Sequence, residues 1–179
     1  MSSRLKRIIV CFICFLLLLS VACLFSMISR GPKVAFMADY NICFKDRPSA
    51  IRRKMHLDLG NPKEWLESDE TVYEVETDVL EVKSKVSLSF LGGSQLYKVL
   101  VTMPINDSAQ IETIFQKFIA LIEAAYENNA ELEKSNVRYT NEYEYGISID
   151  IPVNGATWIT YNIEVTNGML LTISGSYYW

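Results

Sequence analysis

The sequence predicts an α+β fold, in which an antiparallel β-sheet of about five or six strands packs against one long amphipathic helix, with an N-terminal membrane helix before it. Three observations predict this class. Residues 8–28 carry no charged side chain, residues 107–132 repeat apolar side chains at helical spacing, and residues 143–179 alternate apolar and polar side chains. We expect residues 1–33 to form an anchor or signal segment with a short tether, and residues 34–179 to form a single domain.

The apolar N-terminal run is long enough to cross a bilayer. Its 21 residues would span roughly 30 Å as a helix, whereas a cleaved signal has an apolar stretch of about 7 to 15 residues. Length therefore favours a transmembrane helix retained in the lipid bilayer. Two alternatives stay open. Ala22 before Cys23 resembles a bacterial lipoprotein signal, in which Cys23 is lipidated after cleavage, and ordinary secretion is the third interpretation.

Basic residues flank the run on both sides, so their count does not decide its orientation. Only seven residues precede the run, and so short a tail is typical of a signal anchor with its N-terminus inside. We therefore expect a single-pass membrane protein whose C-terminal domain lies on the exported side, periplasmic or extracellular.

Two short helices are expected between the anchor and the sheet. Residues 49–57 would present Ile51 and Met55 on one side of a helix. Residues 61–66 begin with the cap and first-turn proline that are typical of a helix start.

The first strands are expected as a hairpin. Residues 80–91 and 94–103 alternate apolar and polar side chains around a Gly-Gly pair. A two-residue loop at this pair aligns Leu88 with Tyr97 and puts Tyr97 in the apolar row. Upstream of residue 80 the apolar phase shifts, which indicates a bulge, a bend or a separate short strand.

The long helix is expected over residues 107–132. Its apolar side chains occupy a face about 160° wide, and Glu, Gln and Lys side chains fill the opposite side. Asp107 followed by Gln110 resembles a capping box. We expect the apolar face to cover the sheet, with Phe118 among its most buried residues.

Three further strands are expected as a meander over residues 143–179, with Asn-Gly pairs at both turns. A two-residue Asn-Gly loop would put the first two apolar rows on opposite faces, so we expect three-residue loops. The first of these loops pairs Ile149 with Ile159. The same register places Glu144 opposite Glu164 on the outer face of the sheet.

Charge is divided along the chain. After residue 33 there are 12 Lys and Arg against 21 Asp and Glu, a net charge of −9, which disfavours nucleic acid as a partner. Basic residues concentrate in 45–54 and acidic residues in 64–81. We expect these two stretches to pair, and the alternative is contact of the basic stretch with lipid head groups.

The motifs of catalysis and cofactor binding are absent from the sequence. It has no Gly-rich phosphate loop, nucleophile elbow or HExxH string, and its one histidine, His56, lacks an acid or cysteine at helical spacing. The acidic stretch lacks the spacing of a calcium loop. Cys43 is expected to be a small buried side chain. We therefore expect no enzyme, no catalytic residue, no cofactor and no metal site.

The C-terminal strand suggests where a partner binds. It ends in Tyr177-Tyr178-Trp179 and would lie outermost in the meander unless the upstream hairpin pairs with it. We expect Trp158, Tyr178 and Trp179 to lie near a protein partner of unknown identity. The function expected is a membrane-anchored, non-catalytic accessory, inhibitory or immunity-type module that binds protein. The alternative is a structural subunit of a membrane complex that assembles through its transmembrane helix.

Overall fold

The computed structural model divides into two compact units, Met1–Gly31 and Pro32–Trp179. In the first unit, residues 12–17 and 20 are helical and exposed. None of the helices that the structure describes is long and apolar enough to cross a membrane. Most of the predicted span, residues 8–28, lies outside the described residues. The structure describes residues 12–17, 20, 31–64, 69–105, 108–126, 144–154, 157–166 and 170–178.

The second unit is built on one antiparallel sheet in the order β1-β2-β3-β4-β7-β6-β5. Together with the long helix described below, the sheet confirms the predicted α+β class. Six of its strands are long, and β1 has two residues. The strands are β1 (Lys63–Glu64), β2 (Glu70–Val79), β3 (Val82–Leu91), β4 (Gln95–Pro104), β5 (Glu144–Asn154), β6 (Thr157–Thr166) and β7 (Leu170–Tyr178). Since Lys63–Glu64 is extended and pairs with β2, the helix predicted to begin here is wrong at these residues.

β2 and β3 form a hairpin, so the separate strand is the correct one of the three interpretations that the phase shift before residue 80 allowed. Val79 pairs with Val82, so the turn consists of Leu80 and Glu81 alone. Both residues have a positive φ, 52° and 67°, which is the backbone of the tightest hairpin turns and is usually supplied by Asn or Gly. The strand predicted from residue 80 therefore begins at Val82.

β3 and β4 pair in a different register from the predicted one. Leu88 faces Val99, and a bulge follows because Ser89 faces Lys98 while Phe90 faces Leu96. Tyr97 is the extra residue of this bulge. As a result Leu96 is fully buried in the core and Tyr97 is not, the reverse of the prediction.

β5 and β6 pair two residues away from the predicted register. Ile149 faces Tyr161, and a bulge near Pro152 shifts the register so that Asn154 faces Thr157. Ile149 and Tyr161 still point to the core face, since a shift of two leaves every side chain on its own face. Glu164 faces Gly146, and Glu144 faces Thr166, so the two glutamates are not directly opposite each other as the predicted register had them.

β7 lies inside the sheet. It pairs with β6 on one side and with β4 on the other, from Lys98 opposite Ser176 to Pro104 opposite Leu170. The expectation of an outermost C-terminal strand is therefore wrong, and the alternative, pairing with the upstream hairpin, is what the structure has.

Two layers cover the core face of the sheet. The long helix α2 (Ser108–Tyr126) buries Ile114, Phe115, Phe118 and Ile122, and Phe118 is fully buried as predicted. Asp107 and the expected end of the helix near 132 lie outside the described residues.

The second layer is the segment after Pro32, whose packing the sequence did not reveal. It contains a 3-10 helix (Ala35–Tyr40) and the short helix α1 (Pro48–Met55), which confirms the predicted helix at 49–57. The segment is fastened to β4, because Lys45 N donates to Leu96 O and Leu96 N donates to Asp46 O. Its buried side chains are Val34, Ala35, Phe36, Met37, Ile42, Cys43, Phe44, Ile51, Met55 and Leu59, so Cys43 is buried as expected.

Tyr161 lies at the meeting point of these layers. Its ring contacts Phe36 and Phe118 at centroid distances of 5.8 and 6.4 Å. It also lies over Gly175 of the neighbouring strand, where an added Cβ would come within 2.8 Å of the ring. Gly175 is therefore required by the close approach of the Tyr161 ring.

Candidate partner-binding surface

The outer face of the sheet is the face turned away from α2. Strand alternation gives this face mainly small polar side chains, because the apolar rows of β4, β7, β6 and β5 all turn to the core. Its middle rows consist of Ser87, Leu100, Ser174, Asn162 and Ser148, and of Ser89, Lys98, Ser176, Thr160 and Asp150.

One end of the outer face carries large apolar side chains. Trp158 and Tyr178 face each other on β6 and β7, and their rings stack at a centroid distance of 5.6 Å and an angle of 26°. Their side chains remain 48% and 46% exposed. Leu91 of β3, on the same face, is 44% exposed. We call the three aromatic side chains Tyr97, Tyr178 and Trp158, together with Leu91 beside them, the aromatic row.

Tyr97 is held in this row by the bulge in β4. Burial, a hydrogen bond to the Glu70 carboxylate and the charges of Glu70 and Tyr178 together raise the pKa of its phenol to about 12, and burial is the largest of these causes. The hydroxyl therefore stays protonated near neutral pH and serves as a donor to Glu70. This contact joins β4 to the start of β2.

The neighbouring polar side chains are fixed by hydrogen bonds across the strands. Thr160 Oγ1 donates to Asp150 Oδ1 at 2.6 Å, and Asn162 Nδ2 donates to Ser174 Oγ at 3.4 Å. Glu74 lies 2.6 Å from Lys63 Nζ and 3.1 Å from Lys85 Nζ, and these hydrogen bonds and charges lower the pKa of its carboxyl. The outer face thus offers a preorganised polar surface beside the exposed rings.

The sequence predicted three residues for the partner surface. Trp158 and Tyr178 lie side by side on the outer face, and Trp179 lies outside the described residues. Cys23, the candidate for lipidation, also lies outside them. Two members of the aromatic row were missed. Leu91 lies two and four positions after Ser89 and Ser87 on β3, so the alternation of the strand predicts that it shares their outer face. Tyr97 reaches this face only because of the bulge, which the alternation does not predict.

A groove of about 330 Å³ opens elsewhere, between the 3-10 helix, the β2–β3 turn and α2. Its polar side chains Glu81 and Lys117 form an ion pair at 2.5 Å, and the hydrogen bond from Lys117 lowers the pKa of the Glu81 carboxyl. The groove is lined by Phe36, Ala38, Asp39, Leu80, Glu81, Lys117, Ala120 and Leu121, a set without histidine, cysteine or serine.

Within the part of the chain that the structure describes, no group of His, Cys, Asp and Glu side chains has the geometry to hold a metal ion. His56 is exposed and ends α1 in a left-handed conformation with a φ of 53°. In comparisons with known proteins, no family model, no curated protein and no solved structure matches this chain.

Proposed function

We propose that this protein is a membrane-anchored, non-catalytic module that binds a partner protein with the outer face of its sheet, in an accessory, inhibitory or immunity-type role. The observation that carries the proposal is the stacked, half-exposed pair of Trp158 and Tyr178. Trp and Tyr are the side chains most enriched at the energetic centres of protein interfaces.

The surroundings of this pair favour a protein partner. A typical interface has an apolar centre and a polar rim that excludes water and supplies hydrogen bonds. The aromatic row would provide the centre, and the hydroxyl-rich rows beside it would provide the rim. The side chains of the aromatic row project from neighbouring strands of one sheet, so little conformational entropy is lost when a partner protein binds over them.

The binding experiment compares variants of the full-length protein in a detergent-solubilised pull-down. Trp158→Ser with Tyr178→Ser should abolish partner capture and leave the thermal midpoint nearly unchanged, because both side chains are about half exposed. Leu170→Ser is the matched control, since Leu170 is 41% exposed at the opposite end of β7 on the same face. Capture that survives the double substitution, or is lost equally in the control, would remove the aromatic row from the proposal.

The membrane part of the proposal is supported by the uncharged run of residues 8–28. The full-length protein should sediment with membranes and resist carbonate extraction, and the domain should lie on the exported side. Cys23→Ala separates the two kinds of anchor, because lipidation requires the sulfur and a spanning helix does not. Retention of the variant indicates a transmembrane helix, and release indicates a lipoprotein. A soluble product that begins after residue 28 would contradict both.

A further inference from the structure

The basic side chains of α1 form a charged surface that faces solvent. Ile51 and Met55 are buried in the core, whereas Arg52 and Arg53, which lie between them in the sequence, are exposed. Arg47, also exposed, precedes the first turn. We call Arg47, Arg52 and Arg53 the arginine patch.

The acidic stretch does not neutralise this patch through its described side chains. Glu74 pairs with Lys63 and Lys85, and Glu81 pairs with Lys117. Within the stretch 45–54 itself, Lys54 pairs with Asp46 at 2.6 Å. The arginine patch therefore has no ion pair among the residues that the structure describes, and the expected pairing of the basic and acidic stretches is wrong there.

Helix stability accounts for only part of the patch. Arg52 and Arg53 lie in the last turn of α1, where a positive charge interacts favourably with the helix dipole, and Arg52 Nη2 also donates to Gly60 O at 3.3 Å. Arg47, however, lies at the N-terminal end, where a positive charge is unfavourable. The helix gains nothing from it.

The charge of the whole domain makes the patch distinctive. Of the 12 basic residues after residue 33, five lie in 45–54, beside a single acid, while the other 20 acids lie elsewhere. An anionic surface would therefore attract this side of the domain and repel the rest.

The length of the tether brings such a surface within reach. The apolar run ends at residue 28, and the domain is fixed from Pro32, whose carbonyl accepts a hydrogen bond from Phe44 N at 2.8 Å. Four residues span at most about 14 Å when extended. Arg47 follows Phe44 by only three positions, so the patch begins close to the point where the tether enters the domain.

From these observations we infer that the arginine patch docks the domain on anionic phospholipid head groups of the membrane that anchors it. The inference rests on the proposed anchor. Guanidinium groups suit phosphate because they donate two parallel hydrogen bonds. Docking holds the domain in one orientation on the bilayer, and so fixes the direction in which the outer face of the sheet presents the aromatic row.

The experiment uses the full chain in nanodiscs, made either of phosphatidylcholine alone or of phosphatidylcholine mixed with phosphatidylglycerol. Amide hydrogen exchange of peptides covering 47–56 should be about tenfold slower in the anionic discs, because α1 must leave the surface before it opens. Added salt should remove this difference in the wild-type protein, since it screens the attraction.

The variants test the patch itself. Arg52→Glu with Arg53→Glu should abolish the slowing, and Lys63→Glu with Lys83→Glu, the same change of charge on exposed strand lysines, should preserve it. Equal exchange of α1 in both lipids, with the chain present in the disc, would overturn the docking and leave the anchor intact. A chain that does not enter the disc would overturn the anchor, and the docking with it.

Discussion

At the scale of single residues, the hydroxyl of Tyr161 links three parts of the domain. It accepts a hydrogen bond from Ala35 N at 3.1 Å and lies 3.0 Å from both Lys33 O and the hydroxyl of Tyr126. Tyr126 Oη donates to the same carbonyl at 2.6 Å. Since Tyr161 belongs to β6 and Tyr126 ends α2, these bonds fix the first residues of the domain to the sheet and to α2.

The two tyrosines should differ in their contribution to stability. Tyr161→Phe leaves the buried N–H of Ala35 without this acceptor and should lower the free energy of unfolding by about 1–3 kcal/mol. Tyr126→Phe should cost less, about 0.5–1.5 kcal/mol, because Tyr161 still lies within hydrogen-bonding distance of Lys33 O. Urea denaturation of both variants measures their free energies of unfolding. A larger loss of stability in Tyr126→Phe than in Tyr161→Phe would contradict this prediction.

The same residues predict how stability depends on pH. Burial raises the pKa of Tyr126 from 10.0 to about 12, and burial also raises that of Tyr161. The folded state therefore keeps these protons to a higher pH than the unfolded chain does. Their contribution to stability is fully present below about pH 10 and is lost as the pH rises toward about 12.

Denaturation midpoints measured across this alkaline range should fall in the wild-type protein. They should fall less steeply in Tyr126→Phe, which has one buried phenol fewer to ionise. Identical slopes in the two proteins would show that Tyr126 does not carry the effect.

At the scale of elements, the β2–β3 turn is a position where two neighbouring residues adopt a backbone conformation that their residue types disfavour. Leu80 and Glu81 both adopt a left-handed conformation that costs non-glycine residues of the order of 1 kcal/mol each. Val79 and Val82 are paired directly across the turn, so its length is fixed by the register of the hairpin. The pairing of ten residues on each strand holds the turn in this conformation.

Replacement of Glu81 should therefore stabilise the domain. Glu81→Gly removes the strain at a φ of 67° and loses only an exposed ion pair with Lys117, so the free energy of unfolding should rise by about 0.5–1 kcal/mol. Glu76→Gly is the matched control in the interior of β2, where glycine should instead cost about 0.5–1 kcal/mol. Thermal denaturation of both variants tests the difference, and destabilisation by Glu81→Gly would mean that the ion pair outweighs the strain.

At the scale of the whole molecule, the β4–β7 pairing joins the two hairpin systems into one sheet. Residues 98–104 pair with residues 170–176, more than sixty positions later in the chain. Long-range pairing of this kind becomes favourable only when the surrounding core is formed. The 3-10 helix and α2 pack against each other over this same core face, with Phe36 and Phe118 in contact at a centroid distance of 6.1 Å.

This arrangement predicts the pattern of amide hydrogen exchange in the sheet. Backbone amides of β4 and β7, such as those of Val101 and Ile173, should exchange only through global unfolding, because both strands are paired on two sides and buried. Amides of β5 should exchange faster, since β5 is last in the sheet order and, among the strands that the structure describes, has β6 as its one neighbour. Equal rates in β5 and β7 would show that the sheet opens as a single unit.

The candidate surface was only partly predictable. Trp158 and Tyr178 were predicted to lie near a partner because the C-terminal strand was expected to be an unpaired edge. In the structure that strand lies between β4 and β6. The pair is exposed for a different reason, which is that both residues have the parity of the outer face and face each other across β6 and β7. Tyr97 lies beside this pair because of the bulge in β4, and no Gly or Pro in the sequence marks the position of that bulge.

By itself the sequence determined the long helix, most of the strands and the face of the sheet taken by strand residues away from the bulge at Tyr97, because side-chain direction repeats every two residues in strands and every 3.6 in helices. Register, strand order and the N-terminal cover were decided only by the tertiary structure. A pattern with a period of two is unchanged when a strand slides by two residues, so Ile149 and Tyr161 pair without any change in the alternation. Alternation also does not record which strand lies next to which, and the choice of β4 as the neighbour of β7 depends on the core that the completed fold encloses.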